Sequence, residues 1–376
     1  MANIIVLGAG RIGKTIALDL STHHSVCAID IDSAALKSLK QLNKNITTQR
    51  LDIHKQKNLS RLLKPAELVV NAVPGFMGFQ TLEKIIRSKK NAVDIAFSPE
   101  NTLELDTLAK KNHVVVIVDM GVAPGMSNLI LGHHDQEIEV KSFTCMVGGL
   151  PMYPKPPFNY KAPFSPIDVI EEYTREVRLV ENSKLASKPA LSDLESVKFD
   201  NIGTLEAFNT DGLRTLLLTL PHIPNMKEKT LRYPGHAQLI NALKAIGYFS
   251  PSPISKRNKS CRPLDMTVSL LTKHWQLEEH EREFTVMRII ITGIKNQRPI
   301  QLHYDLYDEY DVTSHTTSMA RTTGYACTAA ASLLLDNHFN LEGVHPPEII
   351  AKDKKCFQAI MDYLSARHIN FTCRII

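Results

Sequence analysis

Residues Gly8-Ala9-Gly10-Arg11-Ile12-Gly13 have the spacing of a turn that holds a pyrophosphate. They follow an apolar run, Asn3 to Leu7, and open a helical pattern, Ile12 to Leu20. In such a strand-to-helix turn Gly8 permits the tight bend, Gly10 lets the backbone approach the phosphates, and Gly13 lets the helix pack closely on the strand. The N–H groups free at the start of the helix then face the anion. Asp30 ends the next strand pattern, twenty residues after Gly10. Its carboxylate can accept hydrogen bonds from both ribose hydroxyls and would repel a 2′-phosphate, so NAD is expected over NADP. Arg11 could reach a 2′-phosphate and relax that preference, although positions 31 to 34 hold no cation to help. Ligands of a parallel sheet bind beyond the carboxyl ends of its strands. On that rule Ile12 belongs with the glycine turn, and Asp52 and Ile53 border the adenine. Asn71, Val73 and Pro74 lie along the pyrophosphate and nicotinamide ribose, and Asp119 is a candidate for proton transfer.

Other clusters carry less. His133, His134 and Asp135 suggest a metal at first sight, but adjacent side chains on a helix or strand point apart, so no metal site is expected. The six cysteines, at positions 27, 145, 261, 327, 356 and 373, form no Cys-x-x-Cys pair. A zinc knuckle or thioredoxin-type motif is thereby excluded, and Cys27 and Cys327 read as core thiols. Lys256, Arg257, Lys259 and Arg262 form the densest basic cluster in the sequence. It is too small for a nucleic-acid stripe and reads as a solvated loop. Glu278-Glu279-His280-Glu281 reads as a solvated face.

The elements that must position these residues follow from periodicity. Asn3 to Leu7, Val26 to Ile29, Ile46 to Leu51, Leu68 to Val73, Asn91 to Ile95 and Val114 to Val118 are strand patterns. Helical spacing lies between them, over Ile12 to Leu20, Ala34 to Leu42, Thr81 to Lys90 and Thr102 to Lys111. Continuous apolar strands separated by helices predict an α/β, doubly wound parallel sheet covered on both faces. After Pro124-Gly125 the texture changes. Residues 151 to 166 hold six prolines with four aromatic residues between them, which predicts a long ordered loop or a lid. Ser142 to Val147, Arg175 to Val180, Phe284 to Thr292 and Ile300 to Leu306 predict an α+β, antiparallel region. A small, apolar helical face then runs from Thr316 to Leu335, followed by a helix over Asp353 to Ala366 and a strand over Ile369 to Arg374.

The expected domains are therefore 1–124, dinucleotide-binding; 125–312, an inserted α+β domain; and 313–376, a segment returning to the first. A length of 376 residues suits two or three domains, and 43% hydrophobic with 22% charged residues excludes a disordered, coiled-coil or collagen-like chain. The net charge of +5 is only mildly basic, so no nucleic-acid partner is expected. No apolar run nears the ~18 residues of a membrane helix. The first residues lack a basic n-region, so a cytoplasmic location is expected.

Several blocks resemble the saccharopine dehydrogenase family. They are Asp119-Met120-Gly121-Val122-Ala123-Pro124-Gly125-Met126-Ser127-Asn128, Gly148-Gly149-Leu150-Pro151, Thr204 to Gly212, Lys229-Thr230-Leu231-Arg232-Tyr233-Pro234-Gly235-His236, Met319 to Tyr325 and Gly343 to Glu348. They occur in family order over nearly the whole chain, and the lysine 6-dehydrogenase branch is the most similar. The resemblance implies a Rossmann domain, a middle domain with substrate pocket and homodimer contacts, and oxidation of a C–N bond of an amino acid, with hydride passing from its carbon to NAD, NADP being possible. It places Arg232 on the substrate, where a guanidinium fork would hold the carboxylate, and Asn209, Thr210 and Asp211 on a substrate-facing turn. His236 is the best-placed histidine for proton transfer.

Two departures bear on the substrate. Ala96-Phe97 stands where saccharopine dehydrogenases tend to carry a serine, and Ala123 replaces an acid often seen before Pro124. Both weaken the case for saccharopine and leave oxidative deamination of L-lysine at the 6-amino group as the first expectation. Saccharopine oxidation and a catalytically silent dinucleotide sensor are the alternatives.

Overall fold

The computed structural model describes all residues except 56–58, 201, 257–258 and 279, together with the side chains of 256 and 259. Arg257 of the basic cluster and Glu279 of the acidic stretch therefore lie outside the described residues.

Two compact units emerge, and the chain passes between them more than once. The first comprises Met1–Glu139, Arg214–Thr219 and Met319–Asn370; the second comprises Val140–Leu213, Leu220–Ser318 and Phe371–Ile376. The division thus differs from boundaries at 124 and 312 in four places, one of them the short segment up to Ser318, which stays with the second unit. The helix Met126–His134 stays with the first unit, six residues from the middle of the chain join it, and the last strand belongs to the second.

The first unit is a seven-stranded parallel sheet of β1 (Asn3–Leu7), β2 (Ser25–Asp30), β3 (Thr47–Arg50), β4 (Leu68–Asn71), β5 (Asn91–Asp94), β6 (Val115–Ile117) and, from the C-terminal segment, Gly343–His345, which pairs with β6. The order, from that last strand, is continued by β6-β5-β4-β1-β2-β3. Helices cover both faces, which is why Ile4 to Leu7 and Leu68 to Val70 can be apolar at every position and are all buried. β3 is the edge strand, and its sequence Thr-Thr-Gln-Arg is correspondingly polar and largely exposed.

The small-residue face of the helix Ser318–Leu335 packs on a helix rather than directly on the sheet. Gly324 lies against Thr15 and Ile16 of the helix Arg11–Leu20, and Thr328 donates to Asp19 at 2.6 Å. Gly132 marks a closer approach. A Cβ there would overlap the Glu348 backbone, which cannot move as a side-chain tip could. Gly132→Ala should therefore cost ~1–3 kcal/mol, despite the better helix propensity of alanine. A lower urea midpoint with unchanged slope is the expected signature.

The second unit is built on a nine-stranded sheet of β7 (Glu139–Pro151), β8 (Val177–Glu181), β9 (Lys184–Lys188), β10 (Glu195–Phe199), β11 (Gly203–Thr210), β12 (Met226–Arg232), then, past a small hairpin of β13 (Ile254–Lys256) and β14 (Lys259–Cys261), β15 (Glu283–Lys295) and β16 (Arg298–Glu309). The ninth strand, Phe371–Ile375, pairs antiparallel with β16. The sheet is mostly antiparallel, as expected, but β12 runs parallel to β7. The proline-rich stretch is an ordered loop with three of its four aromatic residues anchored, while Tyr153 is exposed. Tyr160 is buried in this unit's core, and Phe158 and Phe164 pack against it. Among the described residues no helix is long and apolar enough to cross a membrane.

Candidate active site

The glycine turn has the geometry its sequence predicts. Gly8 sits at φ +99°, and a Cβ there would strike the Ala72 carbonyl; a Cβ on Gly13 would strike the Gly8 carbonyl. Gly10 faces open space, as a backbone that must admit phosphate requires. Arg11 and Ile12 begin the helix behind it, both partly buried. Asp30 serves the turn itself. One carboxylate oxygen accepts from Ala9 N at 2.6 Å and the other from Asp32 N at 2.8 Å. β2–β3 pairing brings Arg50 level with Asp30, and Arg50 donates through Nε to Ile31 O at 3.1 Å. A cation thus stands beside this acid after all, delivered by the neighbouring strand rather than by positions 31 to 34.

At the adenine end Asp52 accepts from His54 N and pairs with Lys55 at 3.3 Å. Ile53 is buried in the first unit's core. Val73 is buried and Pro74 is exposed at the start of the helix Gly75–Arg87.

The carboxyl ends of β4, β5 and β6 converge on a buried polar cluster that sequence reasoning found only in part. Asn71 ends β4 and donates through Nδ2 to Asp94 Oδ1 at 2.7 Å and to Gly78 O at 3.1 Å. Asp94, which ends β5, is wholly buried. Burial and the nearby Asp119 carboxylate push its acid up to about 8, against the pull of its hydrogen bonds and of Arg214. Asn71 Oδ1, Asp94 Oδ2 and Ser98 Oγ are buried without a hydrogen-bond partner among the described residues. Ser98 lies against Gly78, two residues beyond Ala96, so a serine does reach this region. Asp119 pairs with Arg214 through two contacts, Nη2–Oδ1 at 3.0 Å and Nε–Oδ2 at 3.3 Å, and Arg214 also donates to the Ser98 carbonyl. Both members of the pair have left-handed backbone, at φ +52° each. Non-glycine residues held so are strained by about 1–3 kcal/mol and cluster at functional sites. The Arg214 segment is in turn clasped by Glu348, which accepts from Thr219 at 2.7 Å and from Asn128 at 3.3 Å. Asp94 was findable as an acid at a strand's carboxyl end. Arg214 left no such signal, being remote in sequence and in no local pattern.

The remaining candidates lie in the second unit, where each is engaged by its surroundings. Arg232 is 2% exposed and fully engaged. It pairs with Glu172 at 2.8 Å, donates to Tyr173 OH at 3.0 Å and to Leu231 O at 2.9 Å, and lies over the Tyr160 ring at 4.3 Å. The guanidinium is thus committed to a buried ion pair. His236 is equally enclosed. Its Nδ1 lies 2.9 Å from Phe158 O, which fixes the donor there, so Nε2 accepts from Tyr173 OH at 3.0 Å. Burial, aided by Arg232, holds its pKa down to about 3. A neutral imidazole with both nitrogens occupied is a poor proton shuttle. Asn209 donates to Ser192 and Asp193, Thr210 bonds Thr230, and Asp211 takes Arg178 in a two-point grip at 3.0 and 2.8 Å. These three therefore organise a turn. His133 stacks on Phe357, and no group of three metal-ligating side chains occurs among the described residues.

A parallel sheet with a glycine turn of the nucleotide-binding type, followed in the chain by a large mixed sheet, defines a Rossmann-like class with a second sheet domain. Comparison with known proteins narrows the class. Residues 4–117 match the saccharopine dehydrogenase NADP binding domain, and residues 121–369 match the saccharopine dehydrogenase C-terminal domain. The chain belongs to the saccharopine dehydrogenase family. It is 21% identical to an NADP-dependent, L-glutamate-forming saccharopine dehydrogenase of Schizosaccharomyces pombe, covering 100% of this chain and 99% of that protein. It is 23% identical to the corresponding protein of Pyricularia oryzae over 66% of this chain and 58% of that one. The mitochondrial alpha-aminoadipic semialdehyde synthase of Bos taurus is matched at 23% identity over 69% of this chain, which spans 30% of its length. In structure it superposes on apo saccharopine dehydrogenase (L-Glu forming) from Saccharomyces cerevisiae with a TM-score of 0.82, at 18% identity and over 100% of both chains. The lysine 6-dehydrogenase branch is not singled out by these relatives.

Proposed function

We propose that this protein is a nicotinamide-dinucleotide-dependent dehydrogenase that oxidises a C–N bond of an amino acid, with saccharopine rather than L-lysine as the substrate. The observation that carries this reading is the match of both family domains, in order and over nearly the whole chain, with relatives named for saccharopine. Two departures weakened the case for saccharopine, and one of them is softened by Ser98, which lies against Gly78 two residues beyond Ala96.

The bound dinucleotide supplies the hydride acceptor. The protein must orient the substrate carbon, keep its amine neutral and exclude bulk water until the imine is formed. The glycine turn and Asp30 would seat the dinucleotide. The Asn71–Asp94–Asp119–Arg214 cluster lies where ligands of such sheets bind. It holds a carboxylic acid that remains protonated near neutral pH beside a fixed ion pair. Hydrolysis of the imine from saccharopine releases glutamate and a semialdehyde, whereas lysine would release ammonia.

Product analysis tests the proposal. With saccharopine and NADP or NAD, reduced dinucleotide should accumulate in step with glutamate. Turnover of lysine with stoichiometric ammonia, and none of saccharopine, would overturn the substrate assignment. Dinucleotide binding without turnover of any amino acid would favour the sensor.

A further inference from the structure

Glu348 is wholly buried in the first unit, and no cation pairs with it among the described residues. An acid buried without a cation is a cost that its hydrogen bonds must offset. Its two oxygens reach different elements. Oε1 accepts from Thr219 at 2.7 Å, in the short helix Leu216–Thr219 that follows Arg214. Oε2 accepts from Asn128 at 3.3 Å, in the helix Met126–His134 that follows the Asp119 turn. Asn128 Oδ1 accepts from Ser127 at 3.0 Å, which turns the N–H side of the amide toward Glu348. One side chain is thereby bonded to both segments that carry the Asp119–Arg214 pair.

Sheet pairing brings this about. The strand Gly343–His345 runs parallel to β6, with Val344 beside Val116 and His345 beside Ile117. Both strands leave the sheet at its carboxyl edge, β6 toward Asp119 and its neighbour toward Glu348. Gly132 then lets the helix Met126–His134 lie directly against the Glu348 backbone. Asp119 and Arg214 both have left-handed backbone, and residues held so persist only where their surroundings over-determine them. Glu348 supplies a restraint on each segment.

We propose that Glu348 is a positioning residue for the oxidation: through Thr219 and Asn128 it fixes the segments of Arg214 and Asp119, and so sets where their ion pair meets the amino-acid substrate. Being wholly buried, Glu348 acts only through these neighbours. Orientation matters greatly in such a reaction, since a misplacement of about 1 Å can cost ~10²-fold in rate. That role rests on the dehydrogenase reading above and adds the side chain that holds its polar cluster in register.

Steady-state kinetics with saccharopine and with L-lysine, dinucleotide titrations and thermal melts of variants of the full chain test it. Thr219→Val keeps the shape and removes the hydroxyl. Glu348→Gln keeps the shape but sets an amide N–H against that of Asn128. Each should lower kcat/KM by ~10-fold or more, while the dissociation constants of NADPH and NADH stay near the wild-type values. Thr219→Ser retains the hydroxyl and should restore kcat/KM. The double variant Thr219→Val, Glu348→Gln should be little worse than the poorer single one, because breaking the bridge at either end breaks it. Thr219 is only partly buried, so its Val and Ser variants read the bridge even if Glu348→Gln folds poorly. Variants that melt lower yet keep wild-type kcat/KM would make Glu348 purely structural and overturn the inference, leaving the dehydrogenase reading standing. An equal loss in Thr219→Ser, or a parallel loss of dinucleotide affinity, would overturn it too. A wild type that binds dinucleotide but oxidises neither amino acid would overturn both.

Discussion

Glu172→Leu is expected to lower stability by about 3–5 kcal/mol, because it leaves the Arg232 guanidinium charged and unpaired inside the second unit. Arg232 is nearly inaccessible to water, and its other contacts are neutral: two tyrosine hydroxyls, a carbonyl and a ring face. None of these replaces a carboxylate. At roughly 2–4 °C per kcal/mol for a unit of this size, the melting temperature should fall by ~6–20 °C. Arg232→Met alone should be comparably harmful, since it strands Glu172. The double variant Arg232→Met, Glu172→Leu should recover much of the loss, because a well-packed apolar pair avoids desolvating two charges. Thermal melts of the three variants read this directly. They also decide the substrate role first expected for Arg232. A double variant that folds and binds dinucleotide normally, yet loses ~10²-fold in kcat/KM through KM, would restore Arg232 as the carboxylate anchor. Near-normal kinetics would leave it a structural residue.

The second large effect is a pH dependence centred on Asp94. Its acid is raised from an unfolded value near 3.8 to about 8 in the fold. Between those two values the folded state keeps a proton that the unfolded state has released, so stability falls as pH rises through this window and levels off above ~8. Asp94→Asn removes the ionisation while keeping the shape and the contact with Asn71. The variant should therefore match the wild type near pH 4 and exceed it by on the order of 2 kcal/mol or more at pH 8. The groups that face Asp94 are Asp119, Arg214 and Asn71, with the buried Cys327 thiol also feeling its charge. Asp94→Asn leaves all of them in place, so the difference between the two stability profiles isolates Asp94. A constant offset across pH would show that Asp94 does not titrate in this range. Dinucleotide-dependent activity measured alongside would show whether the cluster's proton matters to turnover as well as to folding.

Local sequence determined the nucleotide unit. Gly8, Gly10 and Gly13 follow a strand that is apolar from Ile4 to Leu7, and backbone sterics and burial leave such a segment few other structures. The ordered order of the family blocks determined membership in the same way, because each block is a short continuous stretch. The roles of single polar side chains were decided elsewhere. Arg232 and His236 looked like chemistry in a sequence block, but a residue's charge says nothing about what will neutralise it. Glu172, Tyr173 and Phe158 come from other elements and enclose both. Asp30 argued against a 2′-phosphate only while its neighbours were those of its own loop. Strand pairing then set Arg50 beside it. Arg214 meets Asp119 from 95 residues away, and Glu348 holds the segment that brings it there. Burial and ion pairing act through space and set the charge state of each group, so they become legible only when the chain is folded.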